Sequence, residues 1–402
     1  MQLKADLLRH PYPYKCSFTI CSDCDYATRE SFEITHRFIN TTDNAKLGKG
    51  LGLRIADSMF MYCERPGVLS YFEGVSGNPS VDSAFLKDAV EEGWIDSLHG
   101  YGDFVNRNAF SRELAEMALA ELDKNNVKLK VWIDHGSADN SQNIAFPNFL
   151  SKGDNPRHRA YHADLLKKYG IRFVAGYNSD LIGQNGQNGH GRCAAKPLPQ
   201  PEVPLAFIKR IHGRLYGTKL LNKKRFRDGS LFYSFCRARN GVLRPDASTL
   251  FHQLSHENIE KLIKSQGTMI LYQHLGSVNK RANEFPYLDP QAQKALRNIA
   301  EKHDERAIWV APTSRILKYS YVFESISLDA VNQDDKVLIT IRNMNDMIQR
   351  FEPEDLQDIS FRVCTQNDKN IVLRYGNHTL EQTEYTVFQD HGTVIKINPG
   401  GA

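Results

Sequence analysis

Ser111-Arg-Glu-Leu-Ala-Glu-Met-Ala-Leu-Ala-Glu-Leu-Asp-Lys-Asn125, followed by Val127-Lys-Leu-Lys-Val-Trp-Ile-Asp-His-Gly136, holds one full period of the pattern that decides the fold. The first part repeats its apolar residues at helical spacing among charges, which predicts an amphipathic helix over 111–125. The second predicts a strand over 127–133 that breaks off into Asp134 and His135. Outward in both directions the alternation recurs. Helices are expected over 84–92, 161–169, 255–266 (with Ser255 as N-cap) and 290–302, and strands over 94–98, 171–175, 230–239 and 268–274. Segments 307–311 and 314–321 close the series. Strands separated by helices of this length imply parallel β-α units.

Upstream, Ser17-Phe-Thr-Ile-Cys-Ser-Asp-Cys-Asp25 reads as a buried strand ending in two acids, with a helix over 26–39 behind it. Leu47-Gly-Lys-Gly-Leu-Gly-Leu-Arg54 lacks the Gly-Lys-Ser/Thr ending of a phosphate loop and reads as a tight connection. Short strands are expected over 58–63 and 68–72. Residues 178–204, rich in Gly, Asn and Pro, read as a long insertion. Beyond 325 the helical period disappears, and short alternating segments over 337–342, 358–364, 370–374, 384–388 and 393–397 predict a small antiparallel β-sandwich. The expected domains are therefore 1–325 and 326–402.

A chain of 402 residues exceeds the size at which one core keeps growing, which agrees with two domains. With 41% hydrophobic and 24% charged residues it has the composition of a globular protein. A net charge of +4 gives no footprint for nucleic acid. The first ten residues mix charges too closely for a signal peptide, and no apolar run approaches the roughly 18 residues that span a bilayer. A cytoplasmic protein without membrane insertion is expected. Its seven cysteines, irregularly spaced, fit a reducing compartment, and the Cys21/Cys24 pair has no second pair to complete a zinc site.

Chemistry-bearing residues collect at the carboxyl ends of the expected strands. Asp23 and Asp25 end the first; His99-Gly-Tyr-Gly-Asp103 and Asp134-His-Gly-Ser137 follow two others; His274 ends another. Ligands and catalytic groups of parallel barrels gather on that face. Imidazoles with a carboxylate suit a divalent ion such as zinc, iron, cobalt or nickel, and such an ion promotes hydrolysis. Arg237 and Arg239, two apart on one strand face, are candidates to clamp a carboxylate or phosphate, and Tyr101 and Trp132 to stack on a sugar, with core packing favoured for Trp132. His158 and His162 read as surface or capping residues.

This order of motifs resembles the polysaccharide deacetylases of the NodB-homology type. In that family a deformed β/α barrel carries paired aspartates, then His-x-x-x-His, then a late Leu-x-His. The segments Gly50-Leu-Gly-Leu53, Trp132-Ile-Asp-His-Gly136, Gly153-Asp-Asn-Pro156, Tyr161-His-Ala-Asp-Leu-Leu166 and Tyr272-Gln-His-Leu-Gly276 are similar to the deacetylase-like, WbmS-type proteins of bacterial lipopolysaccharide O-antigen clusters. The resemblance implies an α/β chain with a deformed (β/α) barrel of the glycoside hydrolase/deacetylase type. It also implies a metal-dependent hydrolase, with zinc as the leading cofactor, that removes an N-acyl group from a free, nucleotide-linked or lipid-linked sugar. Asp23 takes the part of the base, His274 of the acid, and Asp25 and His99 of metal ligands. Two departures matter: Cys24 separates the aspartates, and Asp103 stands where the second histidine is expected. His135 is the first choice for the missing ligand and Asp103 the second; Tyr101, Arg237 and Arg239 are the expected substrate contacts. The rival readings are an inactive carbohydrate-binding protein and a glycoside hydrolase, and an oligomer is left open.

Overall fold

A computed structural model describes residues 2–137, 139–146, 150–179, 220–277, 287–333, 336–344, 353–364, 370–376, 378–389 and 392–398. The chain divides into two compact units, Phe18–Glu305 with Val310–Ser314, and Met1–Ser17 with Arg306–Trp309 and Arg315–Ala402.

The larger unit alternates strand and helix: β1 (Cys16–Ser22), α1 (Arg29–Asn40), β2 (Asp57–Met59), α2 (Ser83–Glu91), β3 (Ile95–His99), α3 (Arg112–Lys124), β4 (Val131–Ile133), α4 (Ala163–Tyr169), β5 (Phe173–Ser179), β6 (Leu231–Ala238), α5 (His256–Ser265), β7 (Thr268–Gln273) and α6 (Pro290–Asp304). The seven strands lie in chain order around a closed parallel barrel, β5 pairing with β6 and β7 returning to β1. Asn222–Arg225 adds an antiparallel strand on β6.

Local chemistry accounts for these elements. Thr28 and Ser31 form a reciprocal capping box that starts α1. Helix α3 buries Ala115, Ala118, Leu119 and Leu122, the i, i+3, i+4, i+7 stripe expected of a helix laid on a sheet. Every residue of β1 is buried, because a barrel strand has side chains inside and helices outside. The Gly-rich segment after α1 is a tight turn, with Asn44–Ala45 paired to Gly48–Lys49. At Gly50 a β-carbon would collide with the Thr41 carbonyl.

Some elements differ from expectation. Strand β4 is shorter than 127–133, because the Val127 carbonyl and the Leu129 amide bond to the Tyr169 hydroxyl and not to a neighbouring strand. Segment 68–72 is no strand: its amides at Tyr71 and Phe72 reach back to the carbonyls of Phe60 and Met61 as isolated bonds. Segment 314–321 lies in the helix Thr313–Ser325, and 307–311 contains the strand Ile308–Val310. The insertion expected at 178–204 lies outside the described residues from 180 onward.

The smaller unit has a five-stranded sheet, ordered Gln2–Leu3, Ile326–Gln333, Lys336–Asn343, Asn370–Tyr375, His378–Leu380, and a four-stranded one, ordered Ala5–Leu7, Ser360–Val363, Thr393–Ile397, Tyr385–Gln389. All pairings are antiparallel except that of Lys336–Asn343 with Asn370–Tyr375. The N-terminal residues therefore belong with the C-terminal strands, and a single cut at 325 does not describe the division. Among the described residues no helix is long and apolar enough to cross a membrane.

Candidate metal centre

Each strand-end residue sits where its strand releases the chain. Asp23 and Asp25 follow β1, His99 is the last residue of β3, His135 stands two after β4, and His274 follows β7. Closure of the barrel brings them together around the Asp25 carboxylate. His135 Nε2 lies 3.0 Å from Asp25 Oδ1, His99 Nε2 3.1 Å from Oδ2, and His274 Nε2 3.5 Å from Oδ2. Asp23 Oδ1 lies 3.5 Å from His99 Nδ1 and is paired with the Arg237 guanidinium. The His99–Asp23 approach is an ion-pair distance without a hydrogen bond, so Nδ1 of His99 is a buried ring nitrogen with no hydrogen-bond partner among the described residues. Phe60 packs against both imidazoles, its ring 5.3 Å from His99 and 5.1 Å from His135.

Two loops, after β3 and after β4, are locked to each other and orient His135. The Gln142 side chain accepts from the amides of Tyr101 and Gly102 and donates to the Gly102 carbonyl at 2.6 Å. That carbonyl also accepts from His135 Nδ1 at 3.2 Å, which fixes the ring so that Nε2 faces Asp25 and donates to it. Asn143 accepts from the His135 amide and donates to its carbonyl, and Asn140 donates to the same carbonyl. Asp134 is structural: its buried carboxylate accepts from Trp132 Nε1 and from the amides of Ile144 and Ala145. Gly100 is required here, since it has φ +56° and a β-carbon would press on Gln142.

The electrostatics follow from crowding imidazoles around one carboxylate. Burial drives Asp25 upward, but the charge of His99 and the hydrogen bonds of His135 and His274 outweigh it and hold the carboxyl well below its usual range. Burial pulls His274 down, yet the hydrogen bond to Asp25 and the charges of Asp23 and Asp25 raise it to about 9. His135 is raised by the same partner against its own burial.

Asp25, His99 and His135 offer one donor atom each within 4.8 Å of one another; Asp23, Asp25 and His274 form a second set that shares Asp25. Two imidazoles and a carboxylate with Nε2 atoms converging fit a divalent transition-type ion. The fit is to the first set, because the guanidinium on Asp23 repels a second cation from the other.

Other expected site residues are placed differently. Asp103 is paired with Arg65 and takes no part in either set, because the bridge between Gly102–Asp103 and Tyr62–Cys63 carries it to that arginine. Tyr101 has no exposure; it is packed against Phe110, Trp132 and His162, so it cannot touch a substrate. Trp132 is likewise core. His162 is fully buried in that cluster and not at the surface, since the amides of 162 and 163 bond to the Gly153 carbonyl and turn the ring inward. Arg237 is committed to Asp23, with its guanidinium 4.1 Å over the Tyr272 ring. Arg239 lines a cleft of about 450 Å³ together with Asp25, Tyr26, Arg244, Tyr272 and His274. Tyr26, Tyr272 and Gln142 were not legible as site residues: the tyrosines reach the cleft through the turn after β1 and through β7, and Gln142 acts across loops distant in sequence. A scan against family models finds no match to this chain, and a search of curated proteins finds none either.

Proposed function

We propose that the chain is a metal-dependent hydrolase that removes an N-acyl group from a sugar. The observation that carries this reading is the convergence of His99 and His135 Nε2 on the Asp25 carboxylate, with Asp23 and His274 beside it. A divalent ion, zinc in the first place, would be held by Asp25, His99 and His135, and would supply Lewis acidity toward the amide carbonyl and toward water. Asp23, oriented by Arg237, takes the proton of the attacking water. His274, which the Asp25 and Asp23 carboxylates hold toward its protonated form, delivers a proton to the departing amine nitrogen. The Pro245 carbonyl, 2.6 Å from His274 Nδ1, fixes the ring so that Nε2 faces the cleft. Tyr26 and Tyr272 offer aromatic surface for a sugar ring.

The resemblance to NodB-type and WbmS-type proteins supports the substrate class and a cytoplasmic step in bacterial O-antigen assembly. The deciding experiment is the metal content of the full chain purified without chelator or nickel resin, wild type against His99→Ala, followed by assay of acetate or formate release from acylated sugars. About one equivalent of metal that disappears in the variant, with acyl release by the wild type, is the expected result. A wild type that cannot be loaded with zinc, iron, cobalt or nickel overturns the reading in favour of a carbohydrate-binding protein.

A further inference from the structure

The cleft at Asp25 carries two guanidinium groups that the hydrolytic steps do not use. Arg239 donates to the Leu243 carbonyl at 2.7 Å and lies 5.2 Å over the Tyr272 ring, so it is held in place without an ion pair among the described residues. Arg244 is exposed and makes no ion pair or hydrogen bond among the described residues. The carboxylates of the same lining are already engaged. Asp25 faces three imidazoles, and Asp246 accepts from the amide and hydroxyl of Ser248. The segment that carries Arg244 is tied to the proposed acid, because the carbonyl of Pro245 meets His274 Nδ1.

Guanidinium forks match the planar oxygens of a carboxylate or phosphate, and two of them facing one cleft remain uncompensated by a neutral sugar. We propose that the ligand of this cleft is an anionic acylated sugar, its carboxylate or phosphate held by Arg239 and Arg244 while its acyl group lies at Asp25 and His274. The placement of the acyl group rests on the hydrolase reading; the anion site does not.

Titration calorimetry on chelator-treated full chain tests it, with N-acetylglucosamine, N-acetylglucosamine 1-phosphate and N-acetylgalactosaminuronic acid as probes. At least one anionic probe is expected to bind about tenfold more tightly than the neutral sugar. Arg244→Gln and Arg239→Gln are each expected to weaken that probe about tenfold and leave the neutral sugar unchanged. Tightening by the 1-phosphate alone assigns a phosphate, and by the uronate alone a carboxylate. Equal affinity for neutral and anionic probes, anion binding indifferent to both substitutions, or no binding of any probe overturns the proposal. Acyl release from the same probes is measured separately on zinc-loaded chain. Arginine-dependent anion binding without release would sink the hydrolase reading and leave the anion site standing.

Discussion

Asp25 and Asp103 are both acids just beyond a strand, yet only Asp25 meets the imidazoles, and this difference can be measured. His135→Ala and Asp25→Asn are each expected to abolish stoichiometric zinc in the purified chain, whereas Asp103→Ala retains it; loss of metal in Asp103→Ala would move the ligand set. Gln142 touches no donor atom but sets the carbonyl that orients His135. Gln142→Leu is expected to lower zinc affinity about 10–100-fold in a competition titration with a chromogenic chelator, as loss of an orienting partner does. His162 supplies the pH argument. Burial lowers its pKa to about 4, and Nε2 has no hydrogen-bond partner among the described residues. A histidine kept neutral by folding contributes stability that is complete above the unfolded pKa of 6.5 and is lost as pH falls from there toward 4. That loss reaches at most about 3 kcal/mol. Urea unfolding of wild type and His162→Phe between pH 7.5 and 4.5 checks it: the acid-side decline should be shallower in the variant, and parallel curves would refute the assignment.

Elements of the barrel were readable because helix and strand leave different periods in the chain, and α3 with β4 shows both. Thr28 at the start of α1 was not singled out, since a capping box is a matter of geometry as much as of residue type. Thr28→Ala is expected to cost about 1 kcal/mol in denaturant titration, the usual loss of an N-cap. The bridge between Tyr62–Cys63 and Gly102–Asp103 is more demanding, because a β-carbon at Gly102 would collide with the Tyr62 carbonyl. Gly102→Ala is therefore expected to destabilise the chain and weaken zinc binding together, as the displaced carbonyl at 102 is the partner of His135. An alanine variant with wild-type stability and metal affinity would show that the loop absorbs the insertion. Tyr101, between two glycines in a loop, looked available to a sugar; its burial came from Phe110, Trp132 and His162, none of them a near neighbour in sequence.

At the scale of the molecule, the N-terminal strands are the feature the sequence concealed. Strands of two and three residues are too short to show a period, and their partners lie at the other end of the chain. Removing residues 1–8 is expected to expose two sheet edges of the smaller unit, at Ile326–Gln333 and Ser360–Val363. Limited proteolysis should then cut the C-terminal region faster while the rate of cleavage within 18–305 is unchanged; equal resistance of the C-terminal region would show that those strands are dispensable.

The order of helices and strands, and the placing of Asp23, Asp25, His99, His135 and His274 at strand ends, follow from the sequence alone, because periodicity and position along the chain are local properties. Which acids and imidazoles share one carboxylate was decided by the closure of seven strands into a ring, which brings together the ends of β1, β3, β4 and β7. That closure also turned Arg237 inward onto Asp23 and left Arg239 at the cleft. No local pattern encodes such distances, since they depend on strand tilt and on the packing of residues far apart in the chain.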